Sequence, residues 1–248
     1  MILRRIGSAI KKQDWFVVLI EIFVVVVGIY LGLQVDDWNK ARQDRADEKV
    51  FMVRLHEDIL NAEELASRVL ERRLERWDSM LSVTDILFGR TDRETLTGEE
   101  CATMVSLHYF NVVVSELSTV TELTATGRMA IIQDVELRTA LAKLDQTRAG
   151  VNNLINIQQS VTADLPSKYP ELISRDAFFN TEAGEIKAHH FCDLAAMREN
   201  RRFLNDFSAN ADAYDGFIQD GLRPWANQFA RVHQLVDEVL GLNHQGEN

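Results

Sequence analysis

The sequence predicts an all-α protein, in which a single N-terminal transmembrane helix continues into a long helical stalk and an antiparallel helical bundle. Three observations lead to this fold class. Residues 15–35 form an apolar run interrupted by one acid. The next long stretch, residues 39–88, contains neither glycine nor proline. Apolar residues then recur at steps of three and four, the spacing of one helix face.

The apolar run is long enough to cross a membrane. Its 21 residues would span about 31 Å as a helix, and the hydrocarbon core of a bilayer is about 30 Å thick. A cleaved signal peptide is the competing interpretation, but the run exceeds the usual ~7–15 apolar residues and its exit lacks a small-x-small cleavage pattern. Trp15 and Trp38 flank it, as aromatic residues do at membrane interfaces. We therefore predict a transmembrane helix at 15–35 with these two tryptophans as interface anchors.

The orientation of this span depends on the basic residues beside it. Residues 1–14 and residues 36–50 each carry four lysines and arginines, but the second set lies among five acids. Long domains also cross the membrane largely regardless of charge. Assuming a bacterium, these features favour an inner-membrane protein with a basic cytoplasmic tail at 1–14 and its bulk in the periplasm.

One face of the span has features of a helix-association surface. Glu21, Val25, Gly28 and Gly32 lie within about 60° of one another around a helix axis. The two glycines form a GxxxG motif, which lets helix backbones approach closely, and an intramembrane acid usually faces a partner or a wet cavity. This predicts a homo-oligomer or a complex with another membrane protein. In the alternative, Glu21 snorkels or is protonated near the interface and the glycines are incidental.

Charge and cysteine content narrow the class of protein further. The chain has a net charge of −11, and because the basic tail contributes +3, the remainder carries −14. Such a surface argues against nucleic acid as a partner and against lying along an anionic membrane. Cys101 and Cys192 are the only cysteines. In an oxidising periplasm they permit a disulfide, and the alternative is two buried thiols.

The region after the span divides into a stalk or first bundle helix at 36–88, a helical bundle at 89–241 and a flexible tail at 242–248. The apolar stripe of the first helix comprises Leu55, Ile59, Ala62, Ala66, Val69, Trp77, Met80, Thr84 and Leu87. The stripe of the last helical region comprises Phe203, Phe207, Ala211, Tyr214, Ile218, Leu222, Trp225, Phe229, Val232, Val236 and Val239. Both stripes predict helices packed in a core.

Local signals place the shorter elements between these two helices. A polar turn at 89–98 closes the first helix, a second helix follows from about Glu99, and residues 118–126 form a short helix stopped by Gly127. Asp134 and Asp193 are expected N-caps. Residues 170–190 are expected to be irregular or short-helical. Pro224 should kink the last helix near Asp220.

The stretch 21–39, EIFVVVVGIYLGLQVDDWN, resembles the start of an uncharacterised bacterial family of single-span membrane proteins. The matching residues are Glu21, Gly28, Ile29, Leu33, Gln34, Trp38 and Asn39. Residues 122–141, ELTATGRMAIIQDVELRTAL, resemble a second segment of that family. The resemblance implies membrane anchoring and a helical architecture, and it implies no activity. Gly32 departs from the alanine that many members have there.

The sequence lacks the HExxH, Walker, GxSxG and Rossmann motifs of common catalytic and nucleotide sites. His189, His190 and Cys192 have the composition of a metal site, but no companion CxxC or HxxxH accompanies them. We therefore predict no metal and no cofactor. His56 is expected to be an exposed helical residue, His108 a satisfied core histidine, and Glu122 with Arg128 an internal ion pair.

These observations favour a non-enzymatic, membrane-anchored helical protein that acts as an interaction or scaffold module and oligomerises through its transmembrane helix. The alternative is a periplasmic sensory module whose helical bundle binds a small ligand. Because the cytoplasmic tail is too short for an output domain, such a sensor would signal through a separate membrane partner.

Overall fold

The computed structural model describes residues 15–112, 116–180 and 184–242. The chain forms two compact units, of which the first ends at Phe51 and the second begins at Met52. Helix α1, Trp15–Leu87, contributes to both. The predicted tail at 1–14 and all but Leu242 of the predicted tail at 242–248 lie outside the described residues.

Between Trp15 and Val35, α1 presents apolar side chains in every direction. From Trp15 to Val35 the large apolar residues whose exposure is described are exposed, with the half-buried Val27 the exception. A helix that is apolar all round has no polar face to turn toward water. This helix is long and apolar enough to cross a membrane.

The second unit consists of helices and one β-hairpin. After α1 come α2 Gly98–Ser106, α3 Ser118–Ala125, a 3₁₀ turn at Met129–Ile131, α4 Val135–Val161 and α5 Leu165–Lys168. Strands β1 Ile173–Asn180 and β2 Glu185–Cys192 follow, and then α6 Leu194–Glu199, α7 Arg201–Gly216, a π-helical segment Phe217–Leu222 and α8 Arg223–Leu240.

Helix ends follow the local signals in the sequence. Asp134 accepts a hydrogen bond from the Leu137 N–H at 2.7 Å, so it is the N-cap of α4. Asp193 caps only the short helix α6, because Asn200 starts α7 as a separate N-cap. Gly127 adopts φ +67°, as a left-handed stop after α3 requires.

Where the sequence predicted a kink near Asp220, the structure has a π-helical segment, Phe217–Leu222. Proline offers no N–H to the preceding turn, and the Arg223 N–H before it donates to the Ile218 carbonyl five residues back, as in a π-helix. Gly221 lies in this segment, and a Cβ added there would lie 3.0 Å from Leu154 Cδ2 of α4. Glycine therefore permits the close approach of α4 at this point.

The β-hairpin corrects the all-α prediction, and with it the prediction of irregular or short-helical structure at 170–190. β1 and β2 pair antiparallel from Ile173 opposite Cys192 to Asn180 opposite Glu185. Gly184, which directly precedes β2, has φ +67°. Most of the hairpin is exposed, so its sequence lacks the alternating apolar pattern that identifies half-buried strands.

Both α1 and α4 run antiparallel to the last helical region, α7 to α8. On α1, Glu63 contacts the His233 ring and the Trp77 indole N–H donates a hydrogen bond to Asp215. On α4, Glu136 forms an ion pair with Arg231. Just after α4 ends, the Ala163 N–H donates a hydrogen bond to Asn210. In each case residue numbers rise on one side as they fall on the other, which is the signature of antiparallel packing.

The apolar core lies between these helices. Together with Phe110, its largest fully buried side chains come from the last helical region and are Phe203, Phe207, Tyr214, Phe217, Trp225 and Phe229. Its predicted stripe is buried except at the half-buried Ala211 and the exposed Val239. α1 adds Met52, Val83 and Ile86, which the predicted stripe of that helix did not include.

Candidate functional site

The four residues of the predicted association face lie on the first unit and are exposed. Glu21, Val25, Gly28 and Gly32 belong to one uninterrupted helix. At both glycines, a Cβ atom would meet nothing within 4 Å. Trp15 and Trp38, the predicted interface anchors, are 66% and 64% exposed. The face is therefore open along its whole length within this unit.

Cys101 and Cys192 form a disulfide, with Sγ atoms 1.97 Å apart. The bond joins α2 to the end of β2. Because the Cys192 sulfur is bonded to Cys101, it is not a thiolate ligand, which corrects its candidacy for a metal. His189 and His190 are neighbours on a strand and point to opposite faces of the hairpin. The structure therefore does not bring His189, His190 and Cys192 together as ligands.

Two histidines differ from the sequence-based expectation. His108 is half-buried, and burial lowers the pKa of its imidazole. Its Nδ1 atom is buried with no hydrogen-bond partner among the described residues, so the ring is not the fully satisfied core histidine that we expected. His56 is half-buried rather than exposed, because its imidazole contacts α8.

Glu122 accepts a hydrogen bond from Arg54 Nη2 at 2.6 Å, an ion pair between α3 and α1 that the sequence did not indicate. Both side chains are nearly half exposed. Asp58, one turn further along α1, accepts hydrogen bonds from the Ser118 hydroxyl and the Thr119 N–H at the start of α3. A side chain of α1 thus caps α3.

Among the described residues, a group of side chains that could hold a metal ion lies between α1 and α8. His56 Nε2 is 3.1 Å from Asp237 Oδ1, and His233 Nε2 is 3.5 Å from Asp237 Oδ2. His233 Nδ1 is 2.6 Å from Glu63 Oε2. The two imidazole rings have centroids 5.5 Å apart. We call these four residues the histidine-carboxylate cluster.

Helix geometry explains how the cluster assembles. His56 and Glu63 are seven residues apart on α1, and His233 and Asp237 are four apart on α8, so each pair shares one helix face. Antiparallel packing then turns the two faces toward each other. Asp237 is 4% exposed, whereas the side chains of His233, His56 and Glu63 are 12%, 23% and 26% exposed. The cluster therefore lies just beneath the surface of the second unit.

Sequence reasoning missed this cluster. Its only local signal is a histidine followed four residues later by an aspartate on α8, beside the apolar stripe rather than on it. A His-x-x-x-Asp pair is weak evidence by itself, since many solvated helix faces contain one. The partners His56 and Glu63 come from a helix about 170 residues earlier in the chain.

The fold and these sites describe a mostly α-helical protein with one helix long and apolar enough to cross a membrane. The family of unknown function DUF6090 matches residues 21–184. The chain therefore belongs to this family of unknown function, which is consistent with the expectation of an uncharacterised family. Comparison with curated proteins and with solved structures finds no match.

Proposed function

We propose that this chain is a single-pass protein of a bacterial inner membrane and that it acts as a non-enzymatic interaction or scaffold module. In this proposal residues 15–35 cross the bilayer, the basic tail is cytoplasmic and the second unit is periplasmic. The membrane helix associates with a second copy, or with another membrane protein, through Glu21, Val25, Gly28 and Gly32.

The observation that carries the proposal is the exposed apolar surface of α1 between Trp15 and Val35. At about 25 cal/mol per Å², each exposed leucine or valine on this helix would gain roughly 1.5–3 kcal/mol on transfer out of water. A bilayer is the environment that covers such a surface on every side. Membrane anchoring is the function that this surface supports best.

Three further observations support the details. The open face at Gly28 and Gly32 leaves room for a second helix backbone, and close backbone contact is what small residues contribute to helix association in membranes. The Cys101–Cys192 disulfide favours an oxidising compartment such as the periplasm. The acidic balance of the chain disfavours nucleic acid as a partner.

Association through this face predicts a specific mutational pattern. Isoleucine side chains in the double variant Gly28→Ile, Gly32→Ile would hold the two backbones apart, so we expect the full chain in detergent micelles to lose its oligomer. Light scattering with the detergent contribution subtracted measures the protein mass. The control Val26→Phe, Leu33→Phe adds bulk more than 100° around the helix axis from the centre of this face and should leave the oligomer intact.

An unchanged oligomer in the glycine variant would remove the membrane face from the proposal and assign assembly to the second unit. A monomeric native chain would refute association itself. Orientation has its own measurement, in which reporters active only in the periplasm or only in the cytoplasm are fused after residue 60 and after residue 248. Periplasmic signal at both positions is expected, and cytoplasmic signal would reverse the proposed topology.

A further inference from the structure

The histidine-carboxylate cluster supplies a set of ligands that the interaction function does not use. Its three potential ligand atoms, one each from His56, His233 and Asp237, all lie within 4.8 Å of one another. Four ligands placed about 2.0–2.1 Å from a tetrahedral zinc ion are separated by about 3.3 Å. The two measured separations from the Asp237 carboxylate, 3.1 and 3.5 Å, are already close to that value.

The environment of His233 determines which of its nitrogens can bind an ion. A carboxylate only accepts hydrogen bonds, so the contact of Nδ1 with Glu63 at 2.6 Å assigns the hydrogen to Nδ1. Nε2 faces Asp237 at 3.5 Å, and in the neutral ring it carries the lone pair that a metal ion would use. This arrangement, in which a carboxylate orients a histidine whose other nitrogen binds the ion, is common around protein-bound zinc.

Burial strengthens the case for a cation at this position. Asp237 is 4% exposed, and burying a carboxylate is costly unless a positive charge or hydrogen bonds compensate. One imidazole from α1 and one from α8 approach this carboxylate, and imidazoles are good ligands for zinc, copper and nickel. Since calcium and magnesium prefer oxygen ligands throughout, this donor set selects a transition metal.

We propose that His56, His233 and Asp237 bind one divalent transition-metal ion of the zinc type and that Glu63 positions His233. Three protein ligands leave the fourth coordination position to water or to a ligand from outside, and the partial exposure of His56 gives access to it. Because two ligands come from α8 and one from α1, the ion would join the first and last helices of the second unit. Binding would then stabilise the folded form of that unit.

The test uses the full chain in detergent micelles, stripped with a chelator and kept oxidised so that Cys101 and Cys192 offer no thiolates. Calorimetric titration with Zn²⁺ should show one ion per chain. His56→Ala and His233→Ala should each weaken binding at least 100-fold. The controls His108→Ala and His189→Ala, which change histidines outside the cluster, should leave the affinity unchanged.

Three further measurements distinguish specific binding from misfolded variants and adventitious binding. Glu63→Gln keeps all three ligands and should weaken Zn²⁺ binding roughly 10–100-fold, as loss of an orienting carboxylate does elsewhere. Co²⁺ should give the visible absorption of a low-coordinate histidine site in the native chain and lose it in His233→Ala. The melting temperature should rise with Zn²⁺ in the native chain but not in that variant.

The proposal is overturned if the native chain binds no Zn²⁺ at one-to-one stoichiometry. It is also overturned if both cluster variants, folded by circular dichroism, bind as tightly as the native chain. Either result would leave the cluster as a hydrogen-bonded network between two helices, and neither would bear on membrane anchoring or association.

Discussion

Removal of the disulfide between Cys101 and Cys192 should strongly destabilise the second unit. The bond joins residues 91 positions apart, and in the loop-entropy model a closed loop of that length costs the unfolded chain about 15 cal/mol/K, which is about 4.6 kcal/mol at 25 °C. This cost falls on the unfolded state, so losing the bond lowers the free energy of unfolding. The calculated value is an upper bound, because residual structure in the unfolded chain reduces the entropy that it gains when the bond is lost.

The appropriate variant is Cys101→Ala combined with Cys192→Ala. Alanine leaves no unpaired thiol and puts no hydroxyl at position 101, where the native side chain is 2% exposed. Pulse proteolysis across a urea series, applied to the full chain in micelles, measures the fraction of the second unit that remains folded. With a slope of about 2 kcal/mol per M of urea, the predicted loss moves the midpoint by as much as about 2 M.

Reductant provides the matched control. It should lower the urea midpoint of the native chain to nearly that of the double variant, and it should not affect the variant itself. A variant whose midpoint changes by less than about 0.5 M, equivalent to about 1 kcal/mol, would refute the reasoning. An equal effect of reductant on both proteins would do so too, because the effect could then not come from this bond.

Two other predictions concern buried polar groups. Arg93 donates two hydrogen bonds to Glu100 and holds the pKa of that carboxyl at about 2, below its ordinary 4.5. The contribution of this carboxylate to the free energy of unfolding is therefore complete above pH 4.5 and is lost as the pH falls toward 2. Glu100→Gln should lower the free energy of unfolding by about 2 kcal/mol at pH 7, and urea titrations of the variant should show a weaker dependence on acidic pH. A pH dependence equal to that of the native chain would contradict this prediction. Asn210, fully buried, donates to the Ala163 carbonyl and accepts from the Ala163 N–H, each at 2.8 Å. Asn210→Leu should cost about 2 kcal/mol by leaving both backbone groups unpaired, and a melting temperature equal to that of the native chain would show that water replaces them.

Elements with a local cause could be predicted from the sequence. Asp134 is the N-cap of α4 because its carboxylate reaches the N–H three residues ahead, an interaction contained within four residues. Gly127 ends α3 because glycine alone adopts a positive φ without strain. The buried stripe from Phe203 to Val236 follows from helical periodicity, which requires only that one face be covered.

The hairpin could not be predicted in the same way. Its strands are largely exposed and bury little beyond Ile173, so alternation of apolar and polar residues was not needed to form it. The usable signal was Gly184, which lies between the two segments of eight residues that form the strands. Tertiary contacts hold this region, including the disulfide at one end of β2 and the hydrogen bond from the Asp193 N–H to the Leu172 carbonyl.

The two candidate sites differ in the same respect, since one depends on local spacing and the other on tertiary packing. The proposed association face of Glu21, Gly28 and Gly32 can be predicted from residue spacing alone, because all three residues lie on one continuous helix. The histidine-carboxylate cluster cannot, because it forms only when α8 packs antiparallel to α1 and brings His233 to Glu63.

The sequence by itself determined the helical character of the chain, its caps and stops, and the helix that is long and apolar enough to cross a membrane. These features depend on neighbours within a few turns, where spacing and side-chain chemistry suffice. Only the tertiary structure decided that Cys101 bonds to Cys192, that residues 173–180 pair with residues 185–192, and that His56, His233 and Asp237 converge. Such contacts join residues far apart in the chain, and their geometry is set by how whole helices pack.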